Sequence, residues 1–133
     1  MALSQFPILE TLEARNMPEI REIILPSGSS VKSVYYPGSM VAWRIDNKPN
    51  LTTINFEGYD SITTISVTNS SEVAAKKAIE LLNNLMWYMI DTFIWSNGTI
   101  ENPITLTESE METLIEAGKN AQITTSVSGV YTT

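Results

Sequence analysis

The feature that most limits what this chain can fold into is the stretch 69–95, NSSEVAAKKAIELLNNLMWYMIDTFIW, the longest run with a helical period. On a wheel of 3.6 residues per turn, Ala75, Ala78, Ile79, Leu82, Leu85, Met86, Met89, Ile90 and Phe93 form one continuous stripe, the pattern of a helix that covers a core. Asn69 with Glu72 three residues on supplies a start signal, because a side-chain oxygen and a carboxylate meet the first turn's unbonded N–H groups. Ser96-Asn97-Gly98 supplies a stop, with residues that tolerate left-handed backbone. The spacing predicts one long helix over 69–96.

The opposite face of that helix changes character along its length. It starts as Lys76, Lys77, Glu80, Asn83 and Asn84 and ends as Trp87, Tyr88, Ile94 and Trp95 around one carboxylate, Asp91. A helix apolar on all sides is normally covered on all sides, so a single sheet leaves this end unaccounted for. Trp87, Tyr88, Asp91, Ile94 and Trp95 are therefore the candidate partner-binding residues. Two indoles and a phenol around an anion would hold a partner's Lys or Arg by ion pairing and cation–π attraction. The competing reading is intramolecular: the same chain covers the aromatics, and Asp91 pairs with Arg44 or a backbone N–H, or is simply exposed. A membrane span is disfavoured, because Asn83, Asn84 and Asp91 interrupt the apolar run and leave it shorter than the roughly 20 residues a bilayer needs.

Upstream of residue 69 the period drops to 2, in runs rich in Val, Ile, Thr, Tyr and Trp. Strands are expected at 20–25, 31–35, 40–46, 51–57 and 61–68, divided by turn residues such as Pro26-Ser27-Gly28, Pro37-Gly38 and Asp46-Asn47-Lys48-Pro49-Asn50. Val41, Trp43 and Ile45 share one face, as do Ile54 with Phe56 and Ile65 with Val67. A short helix is expected at 7–15, an extended segment at 99–106, a helix opened by the capping box Thr107-Glu108-Ser109-Glu110 and closed at Gly118, and a final strand at 123–133. The expected fold is α+β in one domain over 1–133. A helical arm (1–18) precedes an antiparallel sheet of four to five strands (19–68), the long helix lies across one face (69–96), and a strand, short helix and C-terminal strand follow (97–133).

The chemistry is sparse. The chain lacks both histidine and cysteine, which removes the commonest general base, the commonest metal ligand and thiolate chemistry. Asp46, Asp60, Asp91 and Glu101 are the candidates for an acid pair, but Asp46 and Asp60 sit where turns favour Asp. Glu108, Glu112 and Glu116 read as a solvated helix face and not a cation site. Asn50, Asn69 and Asn97 stand in glycosylation sequons, at a frequency expected by chance in a chain rich in Asn, Ser and Thr. No catalytic, metal or cofactor site is expected. A net charge of −7 with scattered cations argues against nucleic acid. The first residues show neither a basic region nor an apolar region of the kind that directs secretion.

Charged residues make up only 17% of the chain, below the average of about 25%, and interface cores are where charge is usually depleted. The function expected is a non-enzymatic structural or assembly subunit contacting copies of itself or neighbouring subunits, of the kind found in small virion components. The alternative is a soluble module holding a small ligand or peptide between the sheet and the aromatic end of the helix.

Overall fold

The computed structural model describes residues 9–28, 30–85 and 89–132. Its elements run β1 (Thr11–Glu13), β2 (Ser33–Tyr36), β3 (Ala42–Asp46), β4 (Thr53–Phe56), β5 (Thr64–Thr68), α1 (Glu72–Asn84), β6 (Thr92–Asn97), β7 (Ile104–Thr105), α2 (Glu108–Lys119), β8 (Thr124–Gly129) and β9 (Tyr131–Thr132). Every strand pair among the described residues is parallel. One sheet has the order β1-β2-β4, a second β3-β5-β6-β8, and β7 pairs with β9.

This corrects the expected antiparallel sheet. Strand alternation reports that a segment lies in a sheet but not which way its neighbour runs. The turn-rich segments after β2 and β4 do not fold the chain back as hairpins. They are corners that carry it from the first sheet to the second, so each strand meets its predecessor one circuit later and in the same direction. The chain is wound as a solenoid, each circuit stacking on the one before.

The winding has a sequence signature. Met40-x-x-Trp43-x-Ile45-x-Asn47, Ile62-x-x-Ile65-x-Val67-x-Asn69 and Ile90-x-x-Phe93-x-Trp95-x-Asn97 lie in register on β3, β5 and β6, and all nine apolar residues are buried. Each strand therefore repeats the same inward triplet. Asn47 and Asn69 follow β3 and β5 in left-handed backbone at φ 55° and 48°, a conformation Asn tolerates better than most residues. Their N–H groups continue the ladder, to the carbonyls of Thr68 and Ser96.

The expected single helix over 69–96 is two elements. α1 starts at the N-cap Ser71, whose hydroxyl accepts the Ala74 N–H at 3.2 Å, and ends at the C-cap Leu85. Residues 92–97 form β6. Ile90 and Phe93 suit a helical stripe, but Thr92, Phe93, Ile94, Trp95 and Ser96 also alternate outward and inward, and pairing with β5 selects the strand. Asn69 is not the N-cap; it closes β5. At the N-terminus, the part of the expected helix over 7–15 that is described includes the strand β1, paired with β2. Of the strand expected at 20–25, only Ile24 makes an isolated bridge.

Helices replace the first sheet after β4. α1 turns Ala74, Ala75, Ala78, Ile79, Leu81 and Leu82 inward, and the three alanines let its backbone approach the sheet closely. The step between equivalent positions of the second sheet therefore grows, from 22 residues (Ala42 to Thr64) to 28 (Thr64 to Thr92) and 32 (Thr92 to Thr124). α2 closes the last circuit with Leu114 and Ala117 buried, and it carries the expected capping box. The Thr107 hydroxyl accepts the Glu110 N–H while the Glu110 carboxylate accepts the Thr107 N–H.

Candidate functional site

Of the five residues expected to form an aromatic docking pocket, the three that are described do not all share one face of the molecule. Strand geometry sends Ile94 and Trp95 to opposite faces of β6. Trp95 lies wholly inside, donating its indole N–H to the Ala75 carbonyl at 2.9 Å and meeting Tyr131 edge to face at 5.9 Å. Ile94 is half-buried on the outer face. Asp91 is exposed and its recorded bonds are made by its backbone: its N–H donates to Thr63 and its carbonyl accepts from Thr124. Arg44, the cation considered for Asp91, is ion-paired with Glu22 instead. Trp87 and Tyr88 lie outside the described residues.

The remaining acids are spread out. Asp46 accepts the Thr68 hydroxyl at 2.6 Å, Asp60 is exposed in a turn, and Glu101 lines a surface cleft. Among the described residues no three His, Cys, Asp or Glu side chains gather as a metal site. The cleft holding Glu101 has a volume of about 560 Å³ beside the start of α1, between Asn69 to Glu72 and Gly98 to Ile104. Glu72 there accepts the Thr105 N–H at 3.1 Å. A second hollow of about 580 Å³ lies between β4 and the Lys76, Lys77 and Glu80 side of α1. Lys76 is paired with Glu110 and Lys77 with Glu80.

Lys48 is the one lysine that folding buries, at 5% exposure. Its ammonium donates to the Asp46 carbonyl at 3.0 Å, and burial holds its pKa below the usual lysine range against the pull of the Asp46 carboxylate. It anchors the corner after β3 and faces no cleft described above.

What the fold does build is a surface. With Trp43, Ile45, Ile65, Val67, Phe93 and Trp95 turned inward, the alternate residues of β3, β5, β6 and β8 form the outer face of the four-stranded sheet. In register, its ranks read Ala42, Thr64, Thr92, Thr124; then Arg44, Ser66, Ile94, Ser126; then Asp46, Thr68, Ser96, Ser128. Neighbours lie about 4.8 Å apart across strands and roughly 6.6 Å apart along them. Both charges sit on β3, at one rim. The nine positions on β5, β6 and β8 comprise eight hydroxyl residues and Ile94, with no charge. Some hydroxyls already bond to one another, Ser128 to Ser96 at 3.1 Å, and each can donate or accept as a neighbour requires.

The polar side of β3 and β5 follows from alternation, but its continuation over β6 and β8 was not recognised from sequence, because unequal steps of 22, 28 and 32 residues hide the repeat. The threefold apolar triplet with its Asn is the signal that would have revealed it. Comparison with family models, with curated proteins and with solved structures gives no match for this chain.

Proposed function

We propose that this chain is a non-enzymatic assembly subunit, engaging protein neighbours through its four-stranded sheet. The observation that carries this reading is the block of nine uncharged outer positions on β5, β6 and β8, in a chain whose net charge is −7. Wound repeat folds present extended surfaces of this kind, and depletion of charge is what distinguishes the centre of an interface from ordinary surface. The aromatic patch first expected to dock a partner lends no support, since Trp95 is part of the core. The competing small-ligand module draws less support, because Trp95 is part of the core and lines neither of the two hollows.

Light scattering coupled to size exclusion, over a wide concentration range, tests the proposal. A reversible rise above the 14.8 kDa of one chain supports assembly among copies. A monomer at every concentration contradicts it.

A further inference from the structure

The two edges of the four-stranded sheet are not alike. At the β3 edge, the Arg21 carbonyl accepts both the Val41 and Ala42 N–H groups, Ile24 makes its bridge nearby in sequence, and Glu22 pairs with Arg44. That edge is engaged by charged chain. At the other edge lies β8, TTSVSG, which has no charge, no proline and no further strand beside it among the described residues. Natural sheets usually blunt such an edge with lysine, proline, a bulge or a covering segment.

The register shows which backbone groups β8 leaves over. Thr124 donates its N–H to Asp91, so Thr124, Ser126 and Ser128 turn their backbone groups toward β6. Thr125 and Val127 therefore turn theirs outward, to the open edge. Gly129, at φ 122°, leaves the extended conformation, so the stretch able to pair is 124–128, centred on Ser126.

Resting on the assembly reading above, we infer that β8 pairs antiparallel with β8 of a second copy across a two-fold axis at Ser126. One engaged edge and one open edge give the four-stranded sheet a single place to add a strand, so pairing there closes a symmetric dimer and does not grow a filament. The centring at Ser126 satisfies every constraint of an antiparallel ladder. Thr125 faces the second copy's Val127 as a hydrogen-bonded pair, using the outward backbone groups of both. Ser126 faces its own counterpart as the close, non-hydrogen-bonded pair. On the outer face Thr124 meets Ser128, hydroxyl to hydroxyl, and no like charges oppose one another. The two four-stranded sheets then join into one of eight strands, with their uncharged blocks side by side.

The absence of cysteine makes a direct test available. Opposed residues of a non-hydrogen-bonded pair have Cα atoms about 4.5 Å apart, within disulfide range. The Ser126→Cys variant of the full chain, oxidised mildly at a concentration where the wild type associates, is expected to convert almost wholly to a covalent dimer. Ser66→Cys, in the same rank but on the interior strand β5, is expected to stay monomeric on a denaturing gel. In the unmodified chain, amide exchange at Thr125 and Val127 should slow by at least tenfold as concentration rises, while Thr11 is unaffected. If the wild type associates but Ser126→Cys fails to cross-link, cross-links no better than Ser66→Cys, or grows beyond dimers before oxidation, the β8 pairing is wrong and assembly stands. If the wild type does not associate at all, both fall.

Discussion

Asn97, at the end of β6, donates its side-chain N–H to the carbonyl of Val67 on the preceding circuit at 2.9 Å. Its side-chain oxygen accepts the Ser70 N–H at 3.1 Å, and the residue is 1% exposed. One amide thus fastens two turns of the winding, at a point where the backbone leaves the sheet and cannot satisfy itself. Replacement by Ala would orphan a buried carbonyl and a half-buried N–H, each costing on the order of 1–3 kcal/mol. Asn97→Ala should therefore lose about 2–6 kcal/mol in urea unfolding. Asn97→Asp keeps the acceptor but loses the donor and buries a charge, and should be no better. Equal stability of wild type and Asn97→Ala would show that the fastening is dispensable.

Glu110 contributes differently above and below the carboxylate range. Partial burial raises its pKa, but the Thr107 N–H and the Lys76 ammonium outweigh this and hold it below 4.5. A depressed folded-state pKa means stability present above the unfolded value and lost as pH falls through the folded one. Glu110→Gln should accordingly be less stable than wild type at pH 7 by up to about 1 kcal/mol, and the gap should close as pH falls below 4. Thermal melts from pH 3 to 7 measure it; a gap that is constant with pH would assign the loss to something other than ionisation.

Tyr36 is wholly buried, stacked on Phe56 at 4.7 Å and edge to face with Trp43 at 6.2 Å. Among the described residues neither its hydroxyl nor the Trp43 indole N–H has a hydrogen-bond partner. Burial also pushes the phenol's pKa well above its ordinary value of 10.0, so stability present below pH 10 is lost as the pH climbs toward the folded-state value. Tyr36→Phe removes a buried hydroxyl that has no partner among the described residues and keeps the ring. It should be neutral or stabilising by up to about 1 kcal/mol at pH 7, with a shallower alkaline loss in melts taken up to pH 11. A destabilisation above about 1 kcal/mol would reveal a bond from that hydroxyl.

Asp91 and Trp95, adjacent in the pocket expected from sequence, now separate sharply. Asp91→Leu alters an exposed side chain whose neighbouring bonds are all backbone, so stability should move by less than about 0.5 kcal/mol and the association proposed for β8 should be unaffected. Trp95→Ala empties the core and should cost about 3–5 kcal/mol. Equilibrium unfolding of both variants distinguishes this from a shared docking role, in which Asp91→Leu would abolish association and leave the fold intact.

How much of this was legible beforehand depends on which residues carry the signal. The inward facing of Trp43 with Ile45 and of Ile65 with Val67 follows from alternation, and the α2 start follows from Thr107 and Glu110, because both are local patterns. The direction of strand pairing is not local: it is set by where the corners after Tyr36 and Phe56 lead, and turn residues such as Pro37-Gly38 suit a hairpin and a corner alike. Ile90 and Phe93 fit both a helical stripe and a strand, so only the neighbouring β5 decides between them. The extent of the candidate surface over β6 and β8 was hidden for the same reason, since Ser66, Ile94 and Ser126 are 28 and 32 residues apart and adjoin only through the winding.

That winding is the central claim, and it can be measured without a partner. Ser66 and Ile94 are register partners on the outer face of β5 and β6, about 4.8 Å apart at Cα. A Ser66→Cys/Ile94→Cys double variant, oxidised when dilute and mapped by peptide mass spectrometry, should form an intrachain disulfide nearly quantitatively, while Ser66→Cys/Ser128→Cys, two strands apart, should not. Free thiols persisting in the first variant, or equal cross-linking in both, would contradict the parallel winding and the uncharged face built on it.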